Sequence, residues 1–144
     1  MIIQSITRER AACRSPEGRS NQGRAARVVV ILRDRVLADV TVSMLLAHGI
    51  QAIAFARPTA ALEELEHSRA TDVLVTSADF QPGYPKGISL ARVTRRRHPL
   101  LKVIFVDRQQ VAEDVAGESN NFVPTPATGV EVARAVARLI QRRH

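Results

Sequence analysis

The stretch Val28-Val29-Val30-Ile31-Leu32-Arg33-Asp34 decides the fold. Its first five residues are apolar and mostly β-branched, with no polar residue between them. A strand with one face in water alternates apolar and polar residues. An unbroken run of this kind needs cover on both faces, which is the habit of strands in parallel sheets. The run stops at the charged pair Arg33-Asp34, as a strand does at the edge of its sheet.

Downstream, the same logic repeats. Leu37, Val40, Met44 and Leu45 recur at helical spacing until His48-Gly49, a helix stop. Ala52-Ile53-Ala54-Phe55 reads as a second short strand. Pro58-Thr59 opens a helix with Leu62 and Leu65 inward and Glu63, Glu64 and Glu66 outward. Val73-Leu74-Val75 is the third strand and runs into Thr76-Ser77. A breaker-rich loop, Pro82-Gly83-Tyr84-Pro85-Lys86-Gly87, precedes a helix from about Ile88 to Arg97, which Pro99 brings to an end. Val103 to Val106 is the fourth strand, ending at Asp107. A weak helix around Gln110–Ala116 and a short fifth strand near Phe122-Val123 follow. Thr125-Pro126 then leads to a last helix, Val130 to about Arg142, with Ala133, Val136, Ala137 and Ile140 on one face.

Five strands alternating with five helices over residues 28–144 predict an α/β fold: a doubly wound five-stranded parallel sheet in a three-layer αβα sandwich. In such sheets ligands and chemistry gather at the carboxyl ends of the strands. The residues standing there are Arg33 and Asp34, Ser77 to Asp79, Asp107, and Thr125-Pro126.

Upstream of Val28 the character changes. Residues 1–27 carry six arginines against Glu9 and Glu17, a charge of +4, while residues 28–144 hold the other +3 of the +7 total. The arginines sit among Ser, Gly, Asn, Gln and Pro. This segment reads as a flexible basic arm, because its composition buries too little apolar surface to offset the entropy of ordering.

Composition excludes several classes. With 144 residues, 45% apolar and 24% charged, the chain has material for one ordinary domain. Four Phe, one Tyr and no Trp are too few for a stacking platform that binds single-stranded nucleic acid. A lone Cys13 excludes an internal disulfide or a thiolate cluster. His48, His67, His98 and His144 lack metal-ligand spacing. No Gly-rich turn follows the first strand to cradle a phosphate, and there is no nucleophile elbow. No apolar run approaches the roughly 20 residues of a membrane span, and no secretory leader is evident, so a cytoplasmic location is expected.

Over essentially all of 28–144 the chain resembles the receiver (CheY-like) domains of two-component response regulators. The resemblance rests on element order, on the acid closing the first strand, on Asp72-Val73-Leu74-Val75 entering the third, on the loop closing at Gly87, and on Pro126 after the fifth. It implies a flavodoxin-like strand order, 2-1-3-4-5, and a role in phosphorelay signal transduction. A working receiver needs an acid pair after the first strand and an acceptor Asp after the third. It also needs a hydroxyl after the fourth and a Lys before the strand-five Pro. Acids and acceptor hold Mg²⁺, and the acceptor carboxylate is the nucleophile. Here those positions carry Arg33 with Asp34, Ser77, Asp107 and Thr125, so four of five are replaced. Pro126 is retained, as is Phe122 at the place of the family's switch aromatic.

The resemblance therefore implies a stand-alone pseudo-receiver with a degenerate phosphoacceptor pocket. It would have no catalytic residue and no expected cofactor, and would act by protein–protein contact. Its implied partner is a signalling protein such as a histidine kinase, a response regulator or an output protein, with a homodimer as a further option. Arg33, paired with Asp79 or Asp107, would supply the charge that a metal supplies elsewhere. One alternative is an atypical receiver phosphorylated on Asp79, eight residues before Gly87, with Mg²⁺ held by Asp34 and Asp107. Another is a nucleic-acid-associated regulator that uses the basic arm.

Overall fold

The computed structural model describes residues 26–67, 71–119 and 121–141. The basic arm up to residue 25 and Arg142, Arg143 and His144 lie outside the described residues. Arg27, assigned to the arm on composition, belongs to the sheet: it opens β1, Arg27–Ile31.

The chain then runs α1 (Arg35–Ala47), β2 (Gln51–Ala54), α2 (Pro58–His67), β3 (Val73–Thr76), α3 (Gly87–Arg97) and β4 (Lys102–Arg108). A 3₁₀ turn (Gln109–Val111), the one-turn α4 (Ala112–Val115), β5 (Phe122–Thr125) and α5 (Gly129–Gln141) complete it. All strands are parallel, in the order β2-β1-β3-β4-β5, which is the flavodoxin-like arrangement.

The unbroken apolar run of β1 is explained by its cover. Val28, Val30 and Leu32 face a core built with Leu37, Ala38 and Leu45 of α1 and Val132, Val136 and Leu139 of α5. Val29 and Ile31 face the opposite core, with Ala61 and Leu65 of α2 and Leu90 and Ala91 of α3. Each fully buried aliphatic side chain is worth roughly 1.5–3 kcal/mol over leaving it in water, so both faces are held firmly.

Several boundaries differ from expectation. β4 continues through Asp107 to Arg108, because β5 extends to Thr125 and pairs with it there. Pro124 is tolerated inside β5 because this is an edge strand, where a missing N–H costs no ladder bond. The weak helix is a 3₁₀ turn plus a single α turn. Val40 is not core but 43% exposed. The buried face of α5 is Val132, Val136 and Leu139, which leaves Ala133, Ala137 and Ile140 half-buried at its border. Glu64 does not point freely outward; it pairs with the guanidinium of Arg27.

Candidate functional site

At the carboxyl edge of the sheet, a cavity of about 160 Å³ is lined by Arg33, Asp34, Ser77, Asp107 and Thr125 over an apolar floor of Leu32, Leu37 and Val106. These polar residues come from four separate stretches, brought together by the register of β1, β3, β4 and β5. Asp79, Phe122 and Pro126 are not among the lining residues.

Asp34 is the N-cap of α1. Its carboxylate accepts the Leu37 amide at 3.0 Å, which satisfies one of the donors a helix leaves orphaned at its start. Ser77 lies just past β3 and is buried. Its hydroxyl oxygen accepts the Arg33 amide at 3.0 Å, fastening the end of β1 to the end of β3.

Asp107 holds the centre. Its side chain is 2% exposed, yet its charge is well partnered. Oδ1 accepts the Arg108 amide at 2.7 Å and an Arg33 guanidinium N–H at 3.2 Å. Oδ2 accepts the Ala78 amide at 3.0 Å and, at 3.4 Å, the Asp79 amide. A buried carboxylate is tolerable only with such a shell of donors. Arg33 is the cation of the pair and keeps 45% of its side chain exposed.

Asp79 is turned away from this group. Its side chain is 45% exposed, and Oδ1 lies 3.8 Å from Lys86 Nζ. The loop between them closes tightly, with the Gly87 amide donating to the Ala78 carbonyl at 2.8 Å. A Cβ on Gly87 would lie 1.8 Å from the Ser77 carbonyl oxygen, so only glycine fits. Phe122 is half-buried against the α2/α3 core beside Phe105, its register partner. Thr125 brings a neutral side chain to the cavity, and the Thr125–Pro126 peptide is cis.

The donor set does not suit Mg²⁺, which wants oxygen ligands in a near-octahedral shell and usually keeps several waters. One Asp34 oxygen caps a helix, and both Asp107 oxygens are engaged by N–H groups. A guanidinium occupies the space beside them. Among the described residues, no three His, Cys, Asp or Glu side chains converge as metal ligands. Among the described residues, the partner of the Ser77 hydroxyl is a backbone amide and not a base, which leaves it a weak nucleophile.

The amides of Ala78, Asp79 and Arg108 were not foreseeable as functional groups, because every residue but proline has one. Elsewhere, Arg92 and Arg95 of α3 both pair with Glu118. No helix among the described residues is long and apolar enough to cross a membrane.

No family model matches the chain, and no curated protein matches it. Solved structures do. A response regulator receiver domain protein from Clostridium thermocellum superposes at TM-score 0.68 and 18% identity, over 82% of this chain and 96% of that one. A Francisella response regulator receiver domain does so at 0.67 and 22%, over 83% and 99%. One of a family of streptococcal redox sensors that evolved from two-component response regulators reaches 0.72 at 12% identity, over 83% of this chain and 52% of that one. The fold of this chain is that of the response-regulator receiver domains.

Proposed function

We propose that this chain is a pseudo-receiver: a non-enzymatic signalling domain whose state is set by partner contact and not by phosphorylation. One observation carries the reading. The buried Asp107 carboxylate takes its charge balance from Arg33 of the same chain, at 3.2 Å.

In a working receiver the corresponding charges would be a metal ion and a transferred phosphoryl group, both acquired and both removable. A guanidinium tied to the backbone cannot be lost in that way, so it fixes one arrangement of the strand ends. Arg suits this role better than Lys, since its charge is permanent and its planar fork bonds directionally to a carboxylate. Ser77 offers neither a metal ligand of useful strength nor a nucleophile with a base. Asp107 sets a negative charge where a phosphoryl oxygen would have to lie, and Thr125 supplies no cation against it.

The likeness to receiver domains supports a place in signal transduction, with a signalling protein as the partner. The streptococcal sensors, described as evolved from response regulators, are consistent with this fold serving inputs of another kind. The proposed role favours the cytoplasm as its place of action.

The experiment is incubation with acetyl phosphate and Mg²⁺, followed by intact-mass measurement. No added phosphate is expected. A phosphate adduct that disappears in Asp79→Ala would overturn the reading in favour of the atypical receiver.

A further inference from the structure

A groove between α1 and α5 belongs neither to the carboxyl-edge cavity nor to the packed core. It measures about 420 Å³, and its apolar walls come from Met44, Ile50, Val130, Ala133, Ala137 and Ile140. Val130 is 43% exposed, and so is Val40, which packs under Gly129 at the same helix pair. Single exposed apolar residues are ordinary, whereas a contiguous stripe of them across two helices calls for cover.

The point where the chain enters the fold names the occupant. The Gln51 amide donates to the Ala26 carbonyl at 3.0 Å, and Gln51 directly follows Ile50 of the groove wall. The 25 residues before Ala26 are therefore attached beside the groove. Their first part holds Met1, Ile2, Ile3 and Ile6, and no charged side chain precedes Arg8. Residues 14–25 carry Ser, Gly, Asn, Gln and Pro between their charges. Twelve residues of flexible chain have, in general, a root-mean-square span of about 20 Å. The thirteen-residue α5 is also about 20 Å long, so the whole groove is in range.

We propose that the segment Met1–Ile6 seats in the α1/α5 groove of its own domain, with its isoleucines against Met44, Ala137 and Ile140. Arg134, on the groove wall, repels the arginine-bearing part of the arm more strongly than the head, whose side chains carry no charge, so the head is the part that fits. Tethering makes the contact intramolecular, at an effective concentration in the millimolar range, so a modest apolar contact suffices. A signalling partner that needs this helix pair must first displace the head, which turns the arm into a built-in competitor for that surface.

Cys13, the one cysteine of the chain, provides the probe. A nitroxide on Cys13 of the full-length, isotopically labelled protein, kept dilute, is expected to broaden the amide signals of Met44, His48, Ile50 and Ala137. The combined substitution Ile2→Ser, Ile3→Ser and Ile6→Ser is expected to abolish that broadening while the remaining amide spectrum stays in place. Broadening that is absent, spread evenly over the surface or unchanged in the triple variant overturns the proposal. So does broadening that appears only between spin-labelled and isotope-labelled copies in a mixed sample, which would make a second copy the occupant.

Discussion

Along β1 the chain passes, within three residues, between two regions governed by different physics. Val28 to Ile31 are wholly buried and alternate between two apolar cores. Arg33 and Asp34, just beyond, bond to Ser77, Asp107 and the first turn of α1. In the strands, any β-branched residue of the right volume does the work, because burial is non-directional. At their carboxyl ends each atom has a direction and a partner, so a single exchange redirects a whole set of bonds. A fold can thus persist while the groups on its rim change roles, and a sheet that superposes on receiver domains can carry a different set of charges at its edge.

The largest effect that tests this division comes from the strands. Phe105 is fully buried on the α2/α3 side of β4. Phe105→Ala is expected to cost about 3–5 kcal/mol of unfolding free energy, read from urea midpoints, because neighbours relax only partly into the space left behind. A loss below about 1 kcal/mol would mean that β4 is not packed as tightly as the burial of Phe105 indicates.

Asp107→Ala probes the rim. It strips acceptors from the amides of Ala78 and Arg108 and leaves the Arg33 guanidinium without its partner. A buried donor left unpaired costs about 1–3 kcal/mol, so a total loss of about 2–4 kcal/mol is expected. Asp107→Asn should lose less, since Oδ1 survives as an acceptor, though one amide N–H would then face the donors at Oδ2. If both variants unfolded at the wild-type urea concentration, the carboxylate would not be the organising charge of the rim.

The same division governs what could be read from the chain before its structure. Apolar runs such as Val28–Leu32 and Val103–Val106 announced strands and a two-sided sheet because they report burial, which composition records directly. The convergence of Arg33, Asp34, Ser77 and Asp107 followed from placing strand ends side by side. The partner of Arg33 did not: Asp79 and Asp107 were equally available by spacing, and the choice depends on a loop. Gly87 pulls that loop onto the Ser77 carbonyl and carries Asp79 outward toward Lys86. Helix α5 misled for a related reason. Its alanines and Ile140 have helical spacing, but they lie at the border of the buried face, facing the groove with α1. The backbone amides around Asp107 left no trace in the sequence at all.

The smallest effect is the most discriminating one, because Asp34 is the acid that a receiver would keep for its metal. Here its oxygen accepts the Leu37 amide at the start of α1. As a cap, Asp34 contributes about 1 kcal/mol, the usual loss when such a residue becomes Ala. As a metal ligand it would add a second effect: excess Mg²⁺ would raise the melting temperature of the wild type by mass action and fail to do so in Asp34→Ala. The two roles separate in a single set of thermal melts. Asp34→Ala is expected to lower the midpoint by the same amount with and without Mg²⁺, and Asp34→Ser, a good cap but a poor metal ligand, is expected to recover most of the loss. Recovery by serine under both conditions assigns the carboxylate to the helix; a Mg²⁺-dependent midpoint that serine cannot restore assigns it to a metal.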